Sequence, residues 1–451
     1  MKKLALFALL AFASTVGSAA AQNLVITNAR ILDGKGGEIP RGSIVVRDGK
    51  IASVAAGAAA NVPGARVIDA AGRTVMPGFI DAHRHIIGGN DPMWMQTQAP
   101  AQMQAFLDAG FTTVLSAGDD AQQILELRRR TADGSIRGPR IFAAGRVALA
   151  GRAGGPPPPA ADGGRARGAG PAGAPPAGAG GGRRGDPARF DNSRPPLRPT
   201  AAAPAIPAAA TVQAVEAIAK QGFDYIKTAI TVTPGGPETD TLKLVVAEGK
   251  KHNIPTITHA VTVVDTLAAV DAGVAVLVHS PHIGRIEEDP AAVQKIAKSG
   301  IPMTSTLAIF IPHFDENNTP LFRDRLPFPW DTISSAGQGP VNVRLLWEAG
   351  LSYGYGTDTS WPPRESFADE LRALALTFSG KDIVKIMGVG AAKAVLKDRE
   401  LGTLEAGKLA DIVIVNGDPH ASPTSLLNVV TTIKGGVVVA ERVAERTPAT
   451  R

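Results

Sequence analysis

The sequence predicts an α/β fold: a parallel (β/α)₈ barrel with a small β-domain contributed by both ends of the chain. Two observations predict the barrel. Through its middle, the 451-residue chain repeats a short apolar, β-rich run eight times, with a helical run between most of them. The polar residues that interrupt the apolar runs fall at their carboxyl ends, where a barrel gathers its functional side chains. A third observation predicts the flanking domain, because the two ends of the chain lack this rhythm and alternate apolar with polar residues between turn signals.

In chain order, the amino end, "NLVITNARILDGKGGEIPRGSIVVRDGKIASVAAG", carries the turn signals Asp33-Gly34 and Asp48-Gly49 and reads as antiparallel hairpins. The eight barrel strands are expected at Gly78–His85, Thr112–Ala117, Arg140–Gly145, Phe223–Ile230, Pro255–Ala260, Ala275–Ser280, Ile301–Leu307 and Leu351–Asp358. Helices are expected at Gln102–Ala109, Ala121–Arg130, Thr211–Lys220, Thr239–His252, Val263–Ala272, Ala291–Ser299 and Val341–Ala349. The carboxyl end, "LGTLEAGKLADIVIVNGDP" and "VVTTIKGGVVVAERV", returns to the hairpin pattern. The expected division is a signal peptide at 1–21, terminal β-segments at 22–77 and 401–445, and a barrel at 78–400.

The barrel is interrupted by a segment of Gly, Pro, Ala and Arg at 151–210. Such a composition buries too little apolar surface to offset the entropy of ordering, so a disordered or loosely held insertion is expected. The strand before it and the helix and strand after it continue one rhythm, so it interrupts one domain and does not separate two. It follows the third strand, where loops line a barrel's active-site mouth, and reads as a flap, a polyanion tether or a passive spacer.

The formal charge of +6 raises the question of a nucleic-acid partner. Residues 151–200 hold eight Arg against three Asp, and Lys2 and Lys3 add two more positive charges, so the remaining chain is nearly neutral and no nucleic-acid partner is expected. The amino terminus has Lys2 and Lys3, an apolar run from Leu4 to about Val16, and Ala19-Ala20-Ala21 as a small-residue cleavage site. This predicts a secretory signal and a secreted or periplasmic protein, with no stable membrane anchor once the signal is removed, because a span needs about 20 apolar residues. Self-association into a homo-oligomer is left open. The chain has no cysteine, so any metal must sit on nitrogen and oxygen ligands.

The strand ends carry the chemistry. The first ends in His83-Arg84-His85, the fourth contains Lys227, the fifth ends in His259, the sixth in His279 and the eighth in Asp358. Residues two apart on a strand share a face, so His83 and His85 point to the barrel axis with Arg84 turned away. Neutral imidazoles with a carboxylate suit zinc, and with open positions iron or manganese as well. Lys227 is the odd member, since an ammonium repels a dication; a structural or substrate-binding lysine is one reading.

The segments "VMPGFIDAHRH", "FDYIKTAI", "PTITHA", "VAVLVHS", "YGTD" and "IVKIMGVGAAKAVLKDRELGTLEAGKLADIVIVNGDP" resemble the metal-dependent amidohydrolase superfamily, and within it the imidazolonepropionase-like and prolidase-like group. The resemblance covers the chain after its signal, apart from the insertion. It implies a distorted (β/α)₈ TIM barrel with a small β-sandwich from both termini. It further implies two divalent ions, zinc the expected metal, bridged by Lys227 as an N-carboxylated carbamate. His83, His85 and Asp358 would hold the first ion, and His259 and His279 the second. Asp358 would also carry the proton from the attacking water to the leaving amine.

Deaminases of the superfamily place a glutamate near the fifth-strand histidine; "THAVTVVD" has none, and Lys227 argues against the single-metal imidazolonepropionase activity. Hydrolysis of an amide or peptide-like C–N bond in a small molecule or short peptide is therefore expected. An Xaa-Pro or Xaa-Arg dipeptidase and a lactone or phosphotriester hydrolase are the alternatives on the same ligands. A catalytically dead binding protein would be expected to lack a ligand, and none is missing. Prolidase-like relatives carry a Gly-Gly-His turn after the third strand, where this chain has Arg152. Arg146, Arg152 and His282 are candidates for holding a substrate carboxylate, and His252, His313 and His420 receive no role.

Overall fold

The computed structural model describes residues 23–58, 62–87, 93–151, 201–310 and 333–442, with side chains in the last span described from residue 337. The expected signal peptide and residues 152–200 of the insertion, Arg152 among them, lie outside the described residues.

The chain opens with β1 (Leu24–Leu32), β2 (Glu38–Arg47), β3 (Lys50–Ala56), β4 (Arg66–Asp69) and β5 (Thr74–Pro77). The turn between β2 and β3 is Asp48-Gly49, with φ of 50° and 74°, which pairs Arg47 directly with Lys50. Both central residues are left-handed, as a two-residue hairpin turn with the twist of its strands requires. The antiparallel hairpins expected of the amino end are β1 to β3. Strands β4 and β5 run parallel to β1, because the chain leaves the sheet after β3 and re-enters it in the same direction.

The barrel strands are β6 (Phe79–Arg84), β7 (Phe111–Ser116), β8 (Arg140–Arg146), β9 (Tyr225–Ala229), β10 (Thr256–His259), β11 (Val276–Val278), β12 (Met303–Thr304) and β13 (Tyr353–Gly354). They form one parallel sheet in sequence order, the arrangement that right-handed βα crossovers produce. The seam is drawn together by backbone bonds just past β13: Ala82 N donates to Tyr355 O at 3.0 Å, and Thr357 and Asp358 donate to His83 O at 3.1 and 2.7 Å. Side-chain caps start the intervening helices, with Asp120 accepting from Gln123 N, Thr262 from Asp265 N and Asp289 from Ala292 N.

Residues 201–210, grouped by composition with the insertion, are described. The helix after it begins at Ala208, three residues before the expected Thr211. Ala203 N donates to Thr233 Oγ1 at 3.0 Å, tying this stretch to the loop after β9. Helices at Pro363–Ala375 and Gly380–Lys385, which carried no strand after them to mark a repeat, complete the barrel's outer layer.

The chain returns through β14 (Ile412–Val415), β15 (Val429–Lys434) and β16 (Val437–Glu441), and β14 pairs antiparallel with β5, joining the two ends in one sheet. That sheet has its own core of Leu24, Ile26, Ile44, Val46, Ile412 and Ile433. It is fastened to the barrel through Asp411, whose carboxylate accepts from Arg140 at 2.7 Å and whose carbonyl accepts from Gly78 N at 2.8 Å. Among the described residues no helix is long and apolar enough to cross a membrane.

Candidate metal centre

The ends of five barrel strands converge on Asp358. Its Oδ1 lies 3.2 Å from His83 Nε2 and 3.0 Å from His85 Nε2, and its Oδ2 lies 3.7 Å from His279 Nε2. Lys227 Nζ is 3.4 Å from His83 Nε2. The His259 ring stands edge-on to His279, with centroids 4.3 Å apart. All six residues singled out as metal ligands therefore meet at one place. The tightest set is His83, His279 and Asp358, whose ligand atoms lie within 4.8 Å of one another. It draws one histidine from each of the two ion shells that the family resemblance implies.

Burial sets the protonation states. It holds His83 and His279 well below the ordinary histidine range, with Lys227 adding to the effect on His83 and His259 on His279. It brings His259 down to about 4, again with help from Lys227, and takes the Lys227 amine down to about 7 against the opposing pull of Asp358. Burial pushes Asp358 up, yet His83, His85 and His279 around it bring its carboxyl well below the usual carboxylate range. The site thus holds neutral imidazoles, an ionised carboxylate and an amine easily deprotonated. His85 differs: burial opposes its charge, but Asp119 and Asp358 raise it to about 9.

The residues fit a cation on a further observation. His279 Nε2 is buried and has no hydrogen-bond partner, while its Nδ1 lies 2.7 Å from Thr306 Oγ1. Where Nδ1 donates to that hydroxyl, Nε2 carries its lone pair on the side of Asp358, 3.7 Å away, and a buried unpaired acceptor calls for an ion or donor.

Several supporting groups were missed by the strand-end search. Asp119 lies 3.6 Å from His85 Nδ1 and accepts from Ile86 N at 2.8 Å and Ser116 Oγ at 2.7 Å. A carboxylate so placed would orient the His85 imidazole from behind if it bound a metal, and its place just past β7 was a readable signal. Arg84 is turned away from the axis as expected, but into a buried network and not into solvent. It donates to Thr357 Oγ1 at 3.0 Å, to Ser366 Oγ at 2.7 Å and to Trp361 O, and lies 3.8 Å from Asp81. Asp81 in turn accepts from Thr357 Oγ1 at 2.7 Å and from His83 N at 3.2 Å, so one charge pair braces the residues beside two ligands. Nothing in the local sequence marks Ser366 or Trp361, which reach Arg84 from nearly 280 positions away.

His279, Thr306 and Asp358 all have left-handed backbones, with φ of 78°, 50° and 50°. Non-glycine residues are held there only where surrounding contacts over-determine them, and such residues gather at functional sites.

The three substrate candidates part company. Arg146 is exposed at the end of β8, in register with Lys227 on β9, and its charge helps to lower the Lys227 amine. Its side chain lies across Gly118, where a Cβ would come within 2.2 Å of Nε. His282 is fully buried, its ring 3.9 Å from that of Phe310, and Phe310 also faces His279. Its buried, stacked ring sets His282 apart from the exposed Arg146. Arg152 lies outside the described residues. His252 is exposed at a helix end, His420 lies 3.5 Å from Glu38 in the terminal domain, and His313 is outside the described residues.

A model of the amidohydrolase family matches residues 74–439. Over 118 residues the chain is 38% identical to an N-acyl-D-aspartate deacylase of Alcaligenes xylosoxydans xylosoxydans, which is 26% of this chain and 22% of that protein. An imidazolonepropionase of Shouchella clausii is 24% identical over 204 residues, 44% of this chain and 40% of that one. The chain therefore spans well under two thirds of the length of these curated relatives. Among solved structures, an Xaa-Pro dipeptidase with methionine bound in its active site has a TM-score of 0.67, covering 92% of this chain and 99% of that one at 22% identity.

Proposed function

The chain belongs to the amidohydrolase family, and from that premise we propose that it hydrolyses an amide or peptide-like C–N bond at a site holding two divalent ions, zinc being the best match. The observation that carries this reading is the meeting of four imidazoles, Lys227 and Asp358 at the ends of five strands. His83, His85 and Asp358 would hold one ion, His259 and His279 the other, and Lys227, N-carboxylated, would bridge them. Lys227 as an ammonium would repel both ions, whereas a carbamate is an anionic oxygen ligand. The ions, when bound, would bring a water's pKa toward neutrality and polarise the substrate carbonyl.

The protein's own groups then have defined tasks. Asp358 takes a proton from the attacking water and delivers it to the leaving nitrogen as the C–N bond breaks. Asp119 fixes the His85 ring, and the Asp81–Arg84 pair keeps Thr357, and so Asp358, in place. Arg146, exposed beside Lys227, would hold a substrate carboxylate, which favours N-acyl amino acids and small dipeptides. The names of the deacylase and dipeptidase relatives support the same class. The secretory-signal pattern of Lys2, Lys3 and the run from Leu4 supports work outside the cytoplasm.

The test is a screen of the metal-loaded protein against dipeptides, N-acyl amino acids, lactones and phosphotriesters, with metal analysis alongside. The reading expects turnover of the amides and about two ions per chain, falling in Lys227→Ala. Preference for lactones or phosphotriesters would overturn the amide assignment. A single ion, unchanged in Lys227→Ala, would overturn the bridge.

A further inference from the structure

Behind the proposed centre lies a chain of buried contacts that the reaction itself leaves without a role. Thr306 is β-branched, fully buried and left-handed, a conformation such residues rarely adopt. On its amino side, Thr306 N donates to Gly356 O at 3.0 Å. On its carboxyl side, the next two amides, Leu307 and Ala308, donate to the two oxygens of Glu370 at 2.9 and 2.8 Å. Glu370 is fully buried in the helix Pro363–Ala375, so both oxygens of one carboxylate are committed to consecutive backbone amides.

The held turn presents two hydroxyls to His279. Thr304 Oγ1 accepts from His279 N at 3.1 Å, and Thr306 Oγ1 lies 2.7 Å from His279 Nδ1. A neutral imidazole carries its proton on one nitrogen only, and where Thr306 Oγ1 accepts from Nδ1 that nitrogen carries it and Nε2 keeps its lone pair. Without that acceptor the ring exchanges between tautomers, and in one of them Nε2 offers a proton where a ligand must offer a lone pair.

We infer that Glu370 is a positioning residue for His279: by clamping the Leu307 and Ala308 amides it holds Thr306 left-handed, and Thr306 Oγ1 then keeps His279 in the Nδ1–H form with Nε2 facing Asp358. The consequence for ion binding rests on the two-ion reading above, while the tautomer does not. Glutamine at 370 keeps one acceptor but turns an NH₂ toward the other amide, leaving a buried donor unsatisfied.

The experiment uses the metal-free protein with ¹⁵N-labelled histidine, the His279 signal being identified by its loss in His279→Gln, and follows it with titration by Co²⁺ alone. Wild type is expected to show His279 as the Nδ1–H tautomer. Thr306→Val and Glu370→Gln should show a tautomer mixture and bind the weaker Co²⁺ about 10–100-fold less tightly, with Thr306→Ser recovering both. Ile412→Val, in the terminal sheet, controls for lost stability and should change neither. If Glu370→Gln does not fold, Glu370→Asp, which keeps both oxygens at shorter reach, is read in its place. A wild-type Nε2–H tautomer, or an unchanged His279 tautomer in the Glu370 variant, overturns the proposal. A wild type that binds no Co²⁺ sinks the two-ion reading and leaves the tautomer comparison to decide the role of Glu370.

Discussion

The terminal sheet and the barrel mouth both contain left-handed residues, but of different kinds. In the sheet they are Asn28, Asp48 and Ala71, at turns and a bulge where short side chains tolerate positive φ, and the interior between them is Leu24, Ile26, Ile44, Ile412 and Ile433. At the mouth they are His279, Thr306 and Asp358, packed among buried titratable groups with neutral imidazoles, a lysine and two carboxylates within a few ångströms. The sheet resolves every local preference in favour of stability. The mouth holds strained backbone and desolvated polar groups in place, which is expected where geometry for binding outweighs stability.

That contrast can be broken by experiment. Asp358→Asn removes the carboxylate on which His83, His85 and His279 converge and should lower turnover by about 10²–10⁴-fold, with little loss of melting temperature. A large fall in melting temperature would mean that the carboxylate serves folding as much as chemistry. Arg84→Met leaves Asp81 buried without its cation and should cost about 3–5 kcal/mol in chemical denaturation. A near-neutral result would show that the mouth tolerates substitution like an apolar core.

Smaller effects sharpen the comparison. Arg146→Met should raise KM about tenfold for substrates bearing a carboxylate, as loss of one charged hydrogen-bonding group would, and leave kcat and KM for neutral amides unchanged in steady-state assays. Equal effects on both substrate sets would remove Arg146 from carboxylate recognition. Ile412→Val, a buried truncation in the sheet, should cost about 0.5–1.5 kcal/mol with metal content and kcat/KM as in wild type. A change in either would couple the two regions, through the Asp411–Arg140 contact that joins them.

Much of the site was legible because strand alternation and strand ends are local properties. His83 and His85 sit two apart, and Lys227, His259, His279 and Asp358 each close or occupy an apolar run, so pattern alone nominated them. Asp119 was within reach of the same search, three residues past the Ser116 that ends β7. Glu370 and Ser366 were not, because they share the buried face of the helix Pro363–Ala375 with Phe367 and Leu371 and meet their partners only after the barrel closes. His282 also follows a strand, but its burial against the Phe310 ring was a matter of tertiary packing. The parallel course of β4 and β5 along β1 was likewise hidden, since alternation reports which face a side chain takes and says nothing of strand direction.

The sequence by itself determined the order of eight strands and helices, the pairing of the two ends into a separate sheet, and the candidate ligands at the strand ends, because periodicity, turn chemistry and burial pattern act over a few residues. Tertiary structure decided which groups sit behind those ligands: Asp119 on His85, Arg84 and Asp81 beside Asp358, and Glu370 through Thr306 on His279. Those contacts join positions far apart in the chain, and a hydrogen bond of about 3 Å exists only once packing has brought its two ends together.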